Sequence, residues 1–326
     1  MRKTTTLSIA LFAIIAVACS SAGVTGSPTV SVAPAPSAAI ASVAPTEAPA
    51  ETPTTAPPAT PDPCAPASLA LVTPGTLTIG TDNPAFPPYF AENADGSTTD
   101  PWEFGDPTNG EGFEGAFAYA LAEQLGFTPD QVAWTYVPFV ESYRPGPKAF
   151  DVDINQVSYR PQRALAADLS DGYYFLNQAV VAKSDNPIAG VTSIAGLADF
   201  RFGAQVGTTS FETITEVIKP TKEASVYDTN NDAIAALKAG QIDAIVVDLP
   251  TAFFMSAVQL KKGTVVGQFP LAAGADPEYF SVVLAKDSPV TSCVNAAIAA
   301  MNADGSLAAI TQEWLSDKVA APIFTP

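Results

Sequence analysis

Few side chains in this sequence are suited to acid–base or nucleophilic chemistry. The chain contains no histidine, which excludes Ser-His-Asp and Cys-His catalysis and leaves only carboxylate or thiolate ligands for zinc. Asp248 ends the apolar segment IDAIVVD, where an acid faces either a ligand crevice or the start of the next helix. Gly207, Thr208 and Thr209 form a predicted strand-to-helix turn whose backbone N–H groups can bind an anion. These residues predict ligand binding, without a metal or a cofactor.

The segments around these residues alternate between strand and helix character. Strands are predicted at TLTIGTD, FDVDINQVS and NQAVVAKS, among others. GFEGAFAYALAEQLGF places apolar residues four apart, which predicts an amphipathic helix ended by Gly126. PQRALAAD is predicted as a helix opened by Pro161. The alternation restarts after Ser193, so two βα series predict an α/β fold. We expect two lobes with a cleft between them, each a mixed, mostly parallel sheet flanked by helices.

Length and charge limit the possible partners. The roughly 260 residues after the Pro-rich N-terminal region fit two lobes of ordinary size. The chain has 15 basic and 33 acidic residues, a net charge of −18. Removal of Arg2 and Lys3 with the predicted signal peptide leaves 13 against 33, or −20. Such an acidic body repels nucleic acid and acidic membrane surfaces, so neither is a predicted partner.

Residues 1–18 have the features of a secretory signal peptide. A basic start precedes the apolar run LSIALFAIIAV, which is too short to span ~30 Å of hydrocarbon, and Ala18 suits a cleavage site. Cys19 at this junction resembles the acylated cysteine of bacterial lipoproteins, although Ala16 stands where Leu, Val or Ile is usual. An ordinary signal peptide with a chance cysteine is the alternative. The lipoprotein interpretation predicts a lipid anchor at Cys19, on the extracytoplasmic face of the cell membrane.

Residues 19–67 are predicted to form a disordered tether. They are rich in Pro, Ala and Thr, lack aromatic residues and carry little charge, so they cannot bury enough apolar area to offset the entropy of ordering. If Cys19 is lipidated, Cys64 and Cys293 remain in an oxidising compartment. That context favours one disulfide between them, and two buried free thiols are the alternative.

Six segments in order resemble the amino-acid class of bacterial solute-binding proteins, the extracellular receptors of ABC importers. They are GTLTIGTDNPAFPPYF, GFEGAFAYALAEQLGF, FDVDINQVSYRPQRALAADLSDGYY, VGTTSFETI, AIAALKAGQIDAIVVDLPTA and MNADGSLAAITQEWL. The resemblance covers residues 76–317 and implies a two-lobed periplasmic-binding-protein-like fold. Lobe 1 would comprise 68–180 with 285–326, lobe 2 would comprise 181–284, and the hinge strands would lie near 178–183 and 281–286.

The resemblance also implies which groups bind a free amino acid. Arg163, in the segment R-P-Q-R, would hold the ligand carboxylate through two parallel hydrogen bonds, which a lysine cannot reproduce. Asp248 would be the counter-ion of the ligand ammonium, and Ser158 would supply a hydroxyl to the ligand. From position alone, a solvated helix arginine is the alternative for Arg163, and a local cap is the alternative for both Asp248 and Ser158.

Further residues would complete the same site. Thr208 and Thr209 would join Arg163 in binding the ligand carboxylate, as donors from the second lobe. Phe86 would be either an aromatic wall of the pocket or a core residue. Asp82, Gln156 and Gln205 would line the pocket with less specific roles.

Two departures from the family pattern concern ligand preference. Arg160 stands where the family has a capping Thr. It either adds a cation that favours an acidic ligand or points to solvent. The segment SYRPGPKAF changes one pocket wall, so side-chain preference does not carry over.

The resemblance implies a monomeric receptor that closes on a free, polar or charged amino acid and delivers it to the permease of an ABC importer. One alternative is a cleft enzyme similar to cyclohexadienyl and arogenate dehydratases, which share this fold. Such an enzyme needs a general acid in the cleft, and Asp248 in the ammonium-binding place argues against it. An extracellular amino-acid sensor is the other alternative.

Overall fold

A computed structural model of the protein describes residues 62–271, 274–315 and 321–326. The predicted signal peptide, Cys19 and nearly all of the predicted tether lie outside these residues. Residues 62–67 were included in the predicted tether, but they lie among the described residues. Residues from Asp62 onward form hydrogen-bonded turns, because Cys64 is joined to Cys293 by a disulfide with a Cα–Cα distance of 5.4 Å.

Ten strands and eight α-helices form within the described residues. The strands are β1 Leu77–Thr81, β2 Val132–Tyr136, β3 Val152–Asp153, β4 Asp168–Leu176, β5 Gln178–Lys183, β6 Phe202–Gln205, β7 Ser225–Tyr227, β8 Ala244–Asp248, β9 Gly263–Gln268 and β10 Glu278–Leu284. The helices are α1 Phe113–Gln124, α2 Phe139–Ser142, α3 Pro161–Ala164, α4 Thr209–Glu212, α5 Asn230–Lys238, α6 Leu249–Phe254, α7 Thr291–Asp304 and α8 Ser306–Leu315.

The strands form two five-stranded sheets, one in each lobe. The order is β2-β1-β3-β10-β4 in the first lobe and β7-β6-β8-β5-β9 in the second. β1 is parallel to β2 and β3, and β6 is parallel to β7 and β8. β10 and β5 each arrive from the other lobe and pair antiparallel with both neighbours. The predicted two-lobed α/β fold with mixed sheets is therefore confirmed, and parallel pairings make up half of each sheet.

The chain passes between the lobes at positions that differ from the predicted boundaries. It leaves the first sheet at Asn177, so all of β5 belongs to the second lobe although the boundary was placed at 180. It returns between Gln268 and Glu278, so all of β10 belongs to the first lobe although that boundary was placed at 284. Residues 321–326 also belong to the second lobe, because Phe324 packs into its core. Strand pairing decides these boundaries, and one sequence does not reveal pairing partners.

Apolar faces of the helices cover both sheets. In the first lobe, α1 buries Phe113, Phe117 and Leu121 against the sheet, which is the predicted four-residue spacing. α7 and α8 pack on the same core, and α7 carries Cys293. In the second lobe, two apolar clusters cover the two faces of the sheet. The ends of β1, β3, β6 and β8 are thereby fixed around the cleft.

Two segments around Arg163 are shorter than predicted. The helix expected over PQRALAAD ends at Ala164, because β4 begins at Asp168. The strand expected over FDVDINQVS reduces to β3 and an isolated bridge at Ser158. Gln156 interrupts it with a φ of 50°, a left-handed conformation that is uncommon outside glycine.

Among the described residues, no single helix has the length and apolar character to cross a membrane. Only α7 and α8 taken together pass that test, and they are bent by 78° relative to each other. The same residues contain no group of three or more Cys, Asp or Glu side chains placed to hold a metal ion.

Candidate functional site

One cavity between the lobes collects every residue that was predicted to contact a ligand. It is narrow, about 50 Å³, and contacts between the lobes close around it. The predicted residues on its wall are Asp82, Phe86, Gln156, Ser158, Arg163, Gln205, Thr208, Thr209 and Asp248. They come from both lobes, so the cavity depends on the lobes being together.

Arg163 is a buried cation on the first-lobe wall of this cavity. Only 7 % of the residue is exposed, and burial lowers the pKa of its guanidinium below the ordinary value. Nη1 donates to the Ser158 carbonyl at 2.5 Å, and Nη2 donates across the cleft to the Gly207 carbonyl at 2.7 Å. The guanidinium also lies over the Tyr143 ring, 4.6 Å from its centroid. No Asp or Glu forms an ion pair with it within the described residues.

Asp248 is a partly buried acid on the second-lobe wall. Its side chain caps α6 by accepting from the Thr251 N–H at 3.0 Å, and it accepts from the Tyr89 hydroxyl of the first lobe. Both bonds reach the same oxygen, Oδ1, so Oδ2 takes neither of them. The two hydrogen bonds lower the pKa of Asp248, but burial raises it by more, so the pKa lies above its ordinary value. The two interpretations of Asp248, cap and cleft residue, are therefore compatible, and no Lys or Arg of the described residues pairs with it.

The turn before α4 brings the second lobe against Arg163. Gly207 has a φ of 72°, and a Cβ there would lie 2.7 Å from the Tyr143 hydroxyl. Both the conformation and the close approach therefore require glycine. Thr208 caps α4 by accepting from the Phe211 N–H at 3.2 Å, and Thr209 is buried beside it.

The cavity wall also combines aromatic rings with an acid. Phe86 stacks on Phe104 with ring centroids 5.8 Å apart, and Phe139 lines the same cavity. Asp82 lies among them and accepts from the Asn83 N–H at 2.8 Å. Burial raises the pKa of Asp82 to about 6, although backbone N–H groups of Asn83 and Phe139 lower it.

A buried acid behind the cavity, Glu114, holds Gln156 in place through hydrogen bonds. Glu114, with no exposed surface, accepts from the Gln156 backbone N–H at 2.9 Å, from the Gln156 side-chain amide, and from the Tyr173 hydroxyl at 2.5 Å. These bonds hold Gln156 in its left-handed conformation. Burial nevertheless raises the pKa of Glu114 from 4.5 to about 7.

This raised pKa predicts that the protein loses stability as the pH rises. The folded state binds the Glu114 proton more tightly than the unfolded state does, so the free energy of unfolding falls between pH 4.5 and about 7. Glu114→Gln should remove roughly 3 kcal/mol of that fall, at ~1.4 kcal/mol per pKa unit. The measurement is urea unfolding at a series of pH values without added ligand.

Glu123→Gln, at an exposed position of the same helix, is the matched control, since it makes the same chemical change outside the buried hydrogen bonds of Glu114. Raised pKa values of Asp153 and Asp248 act in the same direction, so part of the fall remains in every variant. Parallel curves for the parent and Glu114→Gln would contradict the prediction.

Several residues of the cavity wall were not predicted. They are Pro84, Phe139, Asn155, Gln178, Ser210, Asn230, Val247 and Phe280. Phe139 lies three residues after β2, and a position just beyond a strand end is a signal for a residue at the cleft. Gln178 begins β5, and its place on the cavity wall depends on the sheet topology, for which the sequence carries no local signal.

Arg160 points away from this cavity. Its Nε lies 3.1 Å from Glu212 of the second lobe, and its Nη2 lies 3.9 Å from Glu278. It lines a different groove on the hinge side of the molecule. Arg160 is therefore a cation near the cleft, as one of the two expectations had it, but it is paired with acids outside the cavity wall.

Known proteins share this organisation. The family model described as bacterial extracellular solute-binding proteins, family 3, matches residues 77–317. The chain belongs to this family. The L-cystine-binding protein TcyJ of Escherichia coli is 28 % identical over 247 residues, 75 % of this chain and 84 % of that protein. The arginine-binding extracellular protein ArtP of Bacillus subtilis is 25 % identical over 220 residues, 66 % and 82 % of the two chains.

One solved structure is also similar to this chain. It is a substrate-binding protein of an ABC uptake transporter from Streptococcus pneumoniae with bound histidine. The TM-score is 0.57 at 25 % identity, with 76 % of this chain and 94 % of that chain covered.

Proposed function

We propose that this family member is a receptor that binds one free amino acid in the interlobe cavity. The observation that carries the proposal is a pair of opposite charges. Arg163 on one lobe and Asp248 on the other line the same cavity, and neither has an ion-pair partner within the described residues. A buried charge is costly unless it is paired, and the carboxylate and ammonium of an amino acid supply both missing partners. The names of the relatives, for arginine, cystine and histidine, support this ligand class.

The proposed binding mode follows from the donors and acceptors on the two walls. Arg163 keeps further N–H donors beyond its two carbonyl bonds, and these would hold the carboxylate. The turn carrying Thr208 and Thr209 would add donors from the second lobe. Asp248 would accept from the ammonium through Oδ2, with Ser158 as a second acceptor.

The proposed side chain is one that carries a positive charge or hydrogen-bond donors. The charged residues on the cavity wall are Asp82, Arg163 and Asp248, and the two ends of the amino acid use the last two. Asp82 then remains as an acid without a counter-ion, beside the aromatic rings of Phe86 and Phe139. A polar or cationic side chain satisfies it, whereas an acidic one would be repelled. Because Arg160 points elsewhere, it does not offset this preference.

Ligand entry would require the lobes to separate, since Arg163 and Tyr143 both contact Gly207 across the cleft. Closure driven by ligand contacts from both lobes is the expected hinge motion. We infer that the closed monomer delivers its ligand to the permease of an ABC importer. We also infer that lipid at Cys19 anchors it to the extracytoplasmic face of the membrane, with residues 19–61 as the tether. Binding without catalysis is the proposed role.

A thermal-shift panel of the twenty amino acids tests this function. A ligand at 100 times its Kd stabilises the folded state by ~2.7 kcal/mol. We expect the largest shifts from cationic or amide-bearing amino acids.

Asp82→Asn should weaken the binding of a cationic amino acid by roughly 10- to 100-fold, since hydrogen bonds to charged groups contribute about 1.5–3 kcal/mol. Its affinity should also fall as the pH drops through about 6, where Asp82 becomes protonated.

The exposed Asp95 of the same lobe gives the control, because Asp95→Asn should bind like the parent. If none of the twenty amino acids stabilises the parent, the proposed function is wrong. Product formation from prephenate or arogenate would instead support a dehydratase.

A further inference from the structure

Behind the cavity, a chain of hydrogen bonds runs through both connections between the lobes. Glu278 is the first residue of β10, and Gln178 is the first residue of β5. The Ser158 hydroxyl donates to Glu278 Oε1 at 2.6 Å, and Gln178 Nε2 donates to the same oxygen at 3.3 Å. Glu278 therefore joins a first-lobe residue of the cavity to the strand that enters the second lobe.

Gln178 carries these bonds to the second lobe. Its Nε2 donates to the Thr209 hydroxyl at 3.2 Å, and its Oε1 accepts from the Ser210 hydroxyl at 2.7 Å. The amide orientation is consistent at both ends, because the nitrogen faces acceptors and the oxygen faces a donor. Ser158, Thr209, Ser210 and Gln178 are all buried and all line the cavity.

An ionised carboxylate accepts hydrogen bonds only, so it fixes the direction of this chain. The Ser158 proton is committed to Glu278, and Ser158 can then only accept from a group in the cavity. Thr209 accepts from Gln178, so its own proton is left to donate into the cavity. Arg160, paired with Glu212, also lies 3.9 Å from the other Glu278 oxygen.

We propose that Glu278 is a positioning residue that sets the polarity of the hydroxyls facing the ligand. It makes Ser158 an acceptor and, through Gln178, makes Thr209 a donor. This polarity suits an ammonium beside Ser158 and a carboxylate beside Thr209, so the site selects 2-amino acids over 2-oxo acids of the same shape. The inference rests on the proposed function, and it adds a residue that lies outside the cavity wall.

The test measures selectivity with L-arginine and its 2-oxo acid as probes, by competition in a calorimeter. In Glu278→Gln, the new amide can donate to Ser158 and turn the Ser158 proton toward the ligand. L-arginine should then bind roughly 10- to 100-fold more weakly, while the 2-oxo acid changes by less than about 3-fold. In a Ser158→Ala background, Glu278→Gln should cost L-arginine at most about 3-fold, since the hydroxyl that it reorients is gone.

Glu212→Gln is the matched control, because it breaks the Arg160 pair across the lobes and leaves the Glu278 carboxylate in place. It should keep the parental selectivity even if overall affinity falls. An unchanged ratio of amino to oxo acid affinity in Glu278→Gln, with a parent that binds, would overturn this inference alone. If L-arginine does not bind the parent, the probe becomes the amino acid that gives the largest thermal shift in the panel, with its own 2-oxo acid. A parent that binds no amino acid would overturn both proposals.

Discussion

Replacing Arg163 with lysine or Asp248 with asparagine should weaken amino-acid binding by roughly 30- to several-thousand-fold. Each side chain would face an opposite charge of the ligand in a cavity closed by both lobes. Removing one partner leaves the other charge desolvated, which costs on the order of 2–5 kcal/mol. Lysine cannot replace Arg163, because the planar guanidinium bonds two backbone carbonyls, of Ser158 and Gly207, and must still reach the ligand.

An ion pair elsewhere in the second lobe provides the control. Arg201 and Asp243 pair at 2.8 Å near the far end of β8, outside the cavity. Arg201→Lys and Asp243→Asn make the same chemical changes and should leave affinity at the parental value. Circular dichroism and melting would establish that all four variants fold. Near-parental affinity in folded Arg163→Lys and Asp248→Asn would show that these two residues do not bind the carboxylate and ammonium of the ligand.

Removing the disulfide should lower the free energy of unfolding by roughly 2–5 kcal/mol. Cys64 and Cys293 are 229 residues apart in the chain, and the loop-entropy model gives about 5 kcal/mol for a loop of this length. The bond also holds the N-terminal turns of the first lobe against α7, where Cys293 is buried. The measurement is urea unfolding of the double variant Cys64→Ala, Cys293→Ala beside the parent.

Cys19→Ala is the matched control for that experiment, because it removes the one cysteine that is not part of the bond. It should unfold at the parental urea concentration. Two thiols that react with an alkylating agent in the native parent, or equal midpoints for the parent and the double variant, would contradict the prediction.

Part of the cleft could be predicted from local signals. Asp248 ends a continuous apolar strand, and Gly207 to Thr209 form a turn between strand and helix. The roles of Arg163 and Ser158 followed from the resemblance to the family, because position alone leaves a solvated arginine and a local cap as alternatives. Parallel strands in one lobe end at the same edge of the sheet, so residues at strand ends meet there. The structure places these residues around one cavity, and their contacts with a ligand remain predictions.

Other features depend on contacts that one sequence does not reveal. Arg160 is close to Arg163 in the chain, yet Glu212 and Glu278 direct it away from the cavity. Glu278 begins a strand 120 residues after Ser158, the residue that donates to it. Phe324 returns to the second lobe after two first-lobe helices. Each of these depends on long-range packing, for which the local pattern carries no signal.

The most direct test of the proposed clamp compares three ligands on the unmodified protein. They are the amino acid that the panel identifies, its decarboxylated amine, and its 2-oxo acid, titrated calorimetrically under one set of conditions. The amine lacks the group assigned to Arg163, and the oxo acid lacks the group assigned to Asp248. Both should bind at least about 30-fold more weakly than the amino acid. Equal affinity for the amino acid and either analogue would contradict recognition of a free amino acid by this pair of charges.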